Sequence, residues 1–174
     1  MKKTVLVAGM GSELQSDDAF GLAVVRRLVD LGHPNHVEVF EAGTAGIGLV
    51  QQLFDGYRQL IVVDAVDRGR EPGTIYVLEP EVQAMSGLPG EDQQALLSDM
   101  HYTVPTRVLT LAQALGILPP KVLIVGCQPA DLDLGLALSP PVAAAVDEAI
   151  ARICEIINRT ELVFRLPDTG SRTA

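Results

Sequence analysis

Short runs of consecutive apolar residues, each bounded by Gly, Asp or Pro, recur along the chain. Runs of this length are typical of strands that are buried on both faces of a parallel sheet. Three such runs predict central strands: Thr4–Ala8, Leu60–Val66 and Val122–Val125. Two further runs, Val37–Phe40 and Thr74–Leu78, predict shorter or more peripheral strands.

Between these runs, apolar residues recur every three or four positions, which predicts amphipathic helices. The helices predicted in this way are Phe20–Leu31, Ile47–Phe54, Val104–Leu115 and Val142–Ile157. Thr103 is suited to the N-cap of the third helix, and Gly116 is suited to its end. The fourth helix is entered through Ser139 and two prolines, which is a typical helix start.

The alternation of strands and helices predicts a three-layer α/β/α sandwich around a five-stranded, mostly parallel, twisted sheet. The link between the third and fourth predicted strands covers only Asp67–Gly73. Because this link is too short for a helical crossover, we expect one antiparallel strand. Ala84–Met100 is predicted to be a long polar loop, and 168–174 a frayed tail.

Composition narrows the functional classes. A chain of 174 residues without an internal repeat suggests one domain. Its net charge of −9 argues against a nucleic-acid partner, and its apolar runs fall short of the ~18 residues of a membrane span. The two cysteines, Cys127 and Cys154, form no CxxC pair, and no cleavage-site pattern follows the N-terminus, so we expect a cytoplasmic protein.

Three polar residues follow different predicted strands or precede a helix. Asp18 follows the first strand, Asp64 ends the third, and His101 precedes the helix that starts near Thr103. Ligands of open α/β sheets lie outside the carboxyl ends of the strands, so these side chains are expected to converge. Two carboxylates and one imidazole form an oxygen and nitrogen ligand set for a borderline divalent ion, with positions left open for water or substrate.

Each residue also has a simpler interpretation. Asp17 or Asp18 would suit the N-terminus of the first helix as a capping residue. Asp64 is harder to explain in this way, because a carboxylate inside an apolar strand needs a partner, a metal or an opening. An ion pair with Arg68 or Arg107 would supply such a partner. His101, by itself, favours neither interpretation.

A nucleotide site is a further alternative. Gly9 and Gly11 directly after a strand resemble the start of a GxGxxG loop, and Glu41 at the end of the second strand fits a ribose-binding acid. However, Leu14 occupies the position of the third glycine. The chain contains no HExxH, GxSxG or CxxC motif, so zinc peptidases, serine hydrolases and thiol oxidoreductases lack support.

Five segments, taken in order, resemble those of the nickel–iron hydrogenase maturation proteases across residues 4–157. These segments are GMGSELQSDDAFG at Gly9–Gly21, EAGTAG at Glu41–Gly46, VVDAVDRGREPGT at Val62–Thr74, MHYTVP at Met100–Pro105 and VGCQPADLDLGLALSPPV at Val125–Val142. Ser12 stands where the family usually has Asn, and Tyr102 where Gln is common. Neither departure changes the residues that match the family's metal contacts.

The resemblance implies a single maturation protease-like domain over 1–167, with strand order 2-1-3-5-4 and one antiparallel strand. It implies an aspartic-type endopeptidase that removes a C-terminal extension from the hydrogenase large-subunit precursor after nickel insertion. The metal-contacting and catalytic positions then fall on Asp18, Asp64 and His101. The metal implied is the substrate's own nickel, bound transiently, and Asp17 and Asp67 would have supporting or capping roles.

Further expectations follow from this resemblance. Gly9, Gly11 and Gly43–Thr44 are expected to shape the cleft floor, where a side chain would collide with an incoming peptide. We expect a monomer, and we expect Cys127 to be a packed residue rather than a nucleophile. Two alternatives stay open, a nickel-binding maturation chaperone without peptidase activity and a nucleotide-binding Rossmann-like enzyme.

Overall fold

A computed structural model of the chain describes residues 3–82, 84, 87, 90, 91 and 105–165. The strands are β1 Val5–Met10, β2 Val37–Gly43, β3 Gln59–Ala65, β4 Ile75–Leu78 and β5 Lys121–Cys127. The helices named here are α1 Phe20–Leu31, α2 Gly46–Leu53, α3 Pro105–Ala114 and α4 Pro140–Arg165. The strands form one five-stranded sheet in the order β2-β1-β3-β5-β4, which confirms the predicted order.

The direction of each strand is also as predicted. β1 is parallel to β2 and β3, and β3 is parallel to β5. β4 is antiparallel to β5, with Ile75 opposite Cys127 and Leu78 opposite Ile124. A parallel strand would need a long connection that returns the chain to the opposite edge of the sheet. The link between β3 and β4 is too short for this, which explains why β4 is antiparallel.

Two apolar cores lie on opposite faces of the sheet. Alternate residues of β3 illustrate the division: Ile61 packs with α1 and α4, whereas Leu60 packs with α2 and α3. Successive side chains of a strand point to opposite faces, so a strand between two helical layers must be apolar at every position. The continuous apolar runs of the sequence arise in this way, and the three-layer architecture is confirmed.

The helix ends follow local chemistry. α3 is followed by Gly116, whose φ of 69° is in the left-handed region that favours glycine. α4 begins after Ser139, whose carbonyl oxygen accepts a hydrogen bond from the Ala143 N–H at 2.8 Å. This helix continues to Arg165, beyond the predicted end at Ile157. Within the described ranges, no helix is both long enough and apolar enough to cross a membrane.

Some sequence predictions lie outside the described residues. These are the N-cap at Thr103, the tail at 168–174 and most of the predicted loop Ala84–Met100. His101 also lies outside the described residues. The extent of a single domain over 1–167 stays a prediction.

Candidate active site

A cleft of about 880 Å³ opens at the carboxyl edge of the sheet. Its described lining includes the ends of β3 and β4, the loop after β1 and the start of α3. The main contributors are Gly11, Gln15, Asp18, Asp64–Arg68, Val77–Glu81 and Pro105. The cleft therefore lies where ligands of α/β sheets are expected, and it contains two of the three residues proposed from the sequence.

Asp64 is the most unusual carboxylate of the cleft. It is the sixth residue of β3, and only 6% of it is exposed. Its Oδ1 atom accepts a hydrogen bond from the Ala65 N–H at 3.0 Å. It takes part in none of the ion pairs seen among the described residues. Burial, and then the nearby charge of Asp18, raise the pKa of Asp64 to about 8.

Asp18 also lines the cleft, on the 3-10 turn Ser16–Ala19 that precedes α1. Its Oδ2 atom accepts a hydrogen bond from the Ser12 N–H at 2.7 Å, which orients the carboxylate. Asp18 is partly exposed, and its charge acts on Asp64. The structure therefore brings these two carboxylates together, as the sequence predicted.

Glycines allow this loop to pack tightly against the start of α1. Gly11 has a φ of 121°, and a β-carbon there would overlap the Asp18 carbonyl oxygen. A β-carbon at Gly9 would likewise overlap the Gly21 carbonyl oxygen. The expected reason for these glycines was therefore wrong, because the collision is with the protein's own backbone rather than with an incoming peptide. Gly43 differs, since a β-carbon there would meet nothing within 4 Å.

The chemistry of the pair suits a cation. Two carboxylates held close together in a partly dry site repel each other, and a divalent ion with oxygen ligands relieves that repulsion. Among the described residues, no group of three or more His, Cys, Asp or Glu side chains is placed to hold a metal. Pro105 lines the cleft, and the third proposed ligand, His101, precedes it by four positions in the sequence.

Asp17, the neighbour of Asp18, has a different role. It is completely buried, and its carboxylate accepts hydrogen bonds from the N–H groups of Ala130, Asp131 and Ser139 at 2.6–2.9 Å. The Ser139 hydroxyl donates another, at 2.8 Å. Burial by itself raises the pKa of Asp17, but these donors outweigh it, so the pKa is lowered.

The interpretation of Asp17 or Asp18 as the cap of α1 is therefore wrong. No side chain caps α1, whose N-cap residue is Ala19. Asp17 instead fixes the segment that leads from β5 into α4, because the loop after β1 meets that segment at the same sheet edge. The sequence could not show this contact, since the bonded residues are separated by more than a hundred positions.

Gln128 is a structural residue of this edge that sequence reasoning missed. It is buried, and its Oε1 atom accepts hydrogen bonds from the Arg68 N–H at 2.8 Å and the Tyr76 hydroxyl at 3.0 Å. Its Nε2 atom donates to Asp67 at 2.8 Å. This bond, with a second one from the Gly69 N–H, lowers the pKa of Asp67. The sequence offered one signal for this role, an amide side chain that directly follows a buried strand.

Two alternative roles lose support. Cys127 is buried, and burial together with the charge of Asp17 raises the pKa of its thiol to about 12, so a nucleophilic thiolate is disfavoured. Glu41, the candidate ribose-binding acid, is paired with Arg26 at 2.7 Å. Arg26 also pairs with Glu13. Glu41 is therefore committed to a surface ion pair rather than to a nucleotide.

Comparison with solved structures defines the class of protein that has this fold and cleft. The hydrogenase 2 maturation peptidase of a Thaumarchaeota archaeon superposes with a TM-score of 0.65 at 34% identity, covering 89% of this chain and 98% of that one. The hydrogenase maturating endopeptidase HybD of E. coli gives a TM-score of 0.69 at 26% identity, covering 90% and 93%. The class is therefore that of the maturation peptidases.

Sequence relatives give the particular family. The sequence profile described as hydrogenase maturation protease matches residues 22–156. The hydrogenase expression/formation protein HupD of Rhodobacter capsulatus is 37% identical over 150 residues, which cover 84% of this chain and 68% of that protein. A putative hydrogenase maturation protease of Methanocaldococcus jannaschii is 35% identical over 153 residues, covering 86% and 93%. The chain belongs to the hydrogenase maturation protease family, and it is a peptidase.

Proposed function

We propose that this peptidase removes the C-terminal extension of a nickel-loaded hydrogenase large-subunit precursor, and that Asp18, Asp64 and His101 contact the substrate's nickel. The observation that carries the proposal is the buried carboxylate of Asp64 beside Asp18 in the cleft, with no ion pair to it among the described residues. The names of the relatives support the kind of substrate, since they are hydrogenase maturation proteins.

The raised pKa of Asp64 explains why a cation would be recognised. With a pKa of about 8, Asp64 keeps its proton at neutral pH while no cation is near. Ligands must lose their protons to bind a metal ion, so the arrival of nickel would release this proton, and the positive ion would offset the repulsion that then arises between the carboxylates of Asp64 and Asp18. A precursor without nickel would not provide this compensation, and the site would therefore discriminate between immature and nickel-loaded substrates.

The cleft also fits a peptide. Its volume of about 880 Å³ lies in the range of ordinary ligand sites and is sufficient for several residues of an extended segment. Its lining combines acidic side chains with apolar residues such as Val77 and Leu78. We infer that water supplies the nucleophilic oxygen, because the thiol of Cys127 is buried and has a raised pKa.

The further parts of the proposal are a monomer that acts in the cytoplasm and an aspartic-type mechanism. Free thiols support the location, since neither Cys127 nor Cys154 forms a disulfide. The acidic net charge of −9 supports the absence of a nucleic-acid partner.

The decisive experiment uses the purified protein and the large-subunit precursor from the same organism, prepared with and without nickel. Intact-mass spectrometry is expected to show loss of the C-terminal extension from the nickel-loaded precursor only. Binding of nickel-loaded precursor without cleavage would instead favour the maturation chaperone. A rise in melting temperature with nucleotides, and not with precursor, would favour a nucleotide-binding enzyme.

A further inference from the structure

Strongly exposed leucines lie next to the cleft. Leu134 and Leu136 are 87% and 82% exposed, and Leu14 is 62% exposed. We refer to these three residues as the leucine patch. Single exposed apolar residues are common, but a group of them beside a functional cleft is typical of an interaction surface. Leu138, two residues after Leu136, packs against the core instead. The segment therefore passes from solvent to the core between Leu136 and Leu138.

The members of the patch come from two segments that are bonded to each other. Gln15 and Gly135 form a parallel β-bridge. The Gly135 N–H donates to the Leu14 carbonyl oxygen at 3.0 Å, and the Ser16 N–H donates to the Gly135 carbonyl oxygen at 2.9 Å. Leu14 and Leu134 therefore occupy neighbouring positions on the paired segments, and Leu136 follows on the other side of the bridged glycine.

The patch is held in place. Asp17, next to Ser16, accepts four hydrogen bonds from residues on both sides of Leu134 and Leu136. Ser16 has a φ of 43°, which is uncommon for a residue other than glycine and needs support from surrounding contacts. Since the segment is anchored in this way, its leucines cannot turn inward to reduce their contact with water. A fixed apolar surface binds a partner without a large ordering cost.

The patch also continues the cleft. Gln15 lines the cleft and is the residue that bridges to Gly135, while Asp18 follows three positions later. A substrate segment that reaches Asp18 and Asp64 would bring the body of its own protein over this surface. We propose that the leucine patch is the docking surface for the folded body of the large-subunit precursor. This inference rests on the proposed function.

Charge around the patch specifies the chemistry of the partner surface. Asp131 and Asp133 precede Leu134 on the same segment, and both are exposed. In a symmetric dimer this acidic patch would pack against a second copy of itself and bring like charges close together, which opposes self-association. The occupant is therefore a precursor surface that is apolar at its centre and carries Lys or Arg at its rim.

The test combines Leu134→Ser with Leu136→Ser in the full chain. The matched control is Leu31→Ser, because Leu31 is 56% exposed and ends α1. α1 starts at the cleft edge and spans about 18 Å, so Leu31 lies far from the patch. With nickel-loaded precursor, the double variant is expected to raise the Kd and KM about tenfold, which corresponds to loss of a modest apolar contact. The double variant should keep the kcat and the melting temperature of the parent. The Leu31→Ser control should match the parent in Kd, KM, kcat and melting temperature.

Charge provides an independent second variant. Asp133→Lys should weaken precursor binding, and the loss should shrink as salt concentration rises, because salt screens exposed charges. Asp30→Lys, an exposed change at the end of α1, is its control and should bind as the parent does. These variants leave Asp18 and Asp64 unchanged.

The possible outcomes separate the two proposals. A parent that cleaves, with a double variant of unchanged Kd and KM, would overturn the docking surface and leave the proposed function intact. Sedimentation that shows a dimer of the parent, lost in the double variant, would assign the patch to a second copy and also overturn it. A parent that neither binds nor cleaves nickel-loaded precursor would refute the proposed function itself, and the docking surface with it.

Discussion

Asp17 and Asp64 are both buried carboxylates at the carboxyl edge of one sheet, yet their surroundings are opposite. Asp17 is 0% exposed and accepts four hydrogen bonds, which lower its pKa. Asp64 is 6% exposed and accepts one hydrogen bond from its neighbour, while burial and Asp18 raise its pKa.

The comparison shows how the surroundings separate a structural from a functional carboxylate. A buried charge with enough donors contributes to stability, because its removal leaves those donors without partners. A buried carboxylate with few donors destabilises the fold when ionised, so its retention needs another reason. At Asp64 that reason is the proposed contact with the substrate's nickel. Substitutions of the two residues should therefore have opposite effects.

The largest expected effect is the loss of processing in Asp64→Asn. The change keeps the size of the side chain but removes the charge that a divalent cation needs. Even supporting residues of metal sites cost roughly 10–100-fold when changed, so we expect a decrease of at least about 100-fold in cleavage of nickel-loaded precursor. Its melting temperature should equal or exceed that of the parent near neutral pH, since Asn needs no proton to be neutral, whereas Asp64, whose pKa is raised by burial and then by Asp18, must take up a proton on folding.

Quantitative mass spectrometry of the cleaved C-terminus, with calorimetry on the same samples, checks both parts. A stable variant that still cleaves at the parent rate would remove Asp64 from the mechanism. A variant that unfolds would show that Asp64 is structural, like Asp17.

The next largest effect is expected on stability in Asp17→Ala. Hydrogen bonds to a charged group contribute about 1.5–3 kcal/mol each, although not additively, so we expect the free energy of unfolding to fall by roughly 3–5 kcal/mol. Urea denaturation measures this change. The exposed Asp133→Ala is the matched control and should lie within about 0.5 kcal/mol of the parent. An Asp17→Ala variant as stable as this control would contradict the structural role.

A smaller effect is expected in the pH dependence of the metal-free protein. Between its unfolded pKa near 4 and its folded pKa of about 8, Asp64 binds a proton more tightly in the folded state. The parent should therefore lose stability relative to Asp64→Asn as pH rises through this interval, and the difference should level off above it. Below about pH 4, where both states are protonated, the difference should reach its minimum.

Urea denaturation of parent and Asp64→Asn from pH 4 to 9, in the presence of a chelator, gives the two curves. Asp17 titrates in the opposite sense, since its lowered pKa adds stability that is lost as pH falls. Both proteins contain Asp17, so its contribution cancels in the comparison. Parallel curves across this range would contradict the raised pKa of Asp64.

Much of the architecture could be predicted from the chain. Runs such as Leu60–Val66 predicted central strands because a strand between two helical layers is apolar on both faces. Element ends were less accurate. β2 continues to Gly43 and β5 to Cys127, beyond the predicted runs, because backbone pairing continues past the last large apolar side chain. α4 likewise continues beyond its predicted end.

The candidate site was predicted in part. The sheet edge brings Asp18 and Asp64 into one cleft, as expected from their positions after β1 and within β3. His101 lies outside the described residues, so its role stays a prediction. The role of Gln128 was missed, because its contacts with Arg68 and Tyr76 depend on how the loops fold over the edge.

The sequence by itself determined the order of elements, the antiparallel fourth strand and the family, since these depend on local periodicity, short links and ordered motifs. The resemblance already placed Asp18 in the site and gave Asp17 a supporting or capping role, but only the tertiary structure decided which groups Asp17 binds. Asp17 and Asp18 differ by one position, but the donors of Asp17 come from residues 130–139, far along the chain. The pKa of a carboxylate depends on its burial and on such distant donors. These donors cannot be identified from residue type and spacing in the sequence.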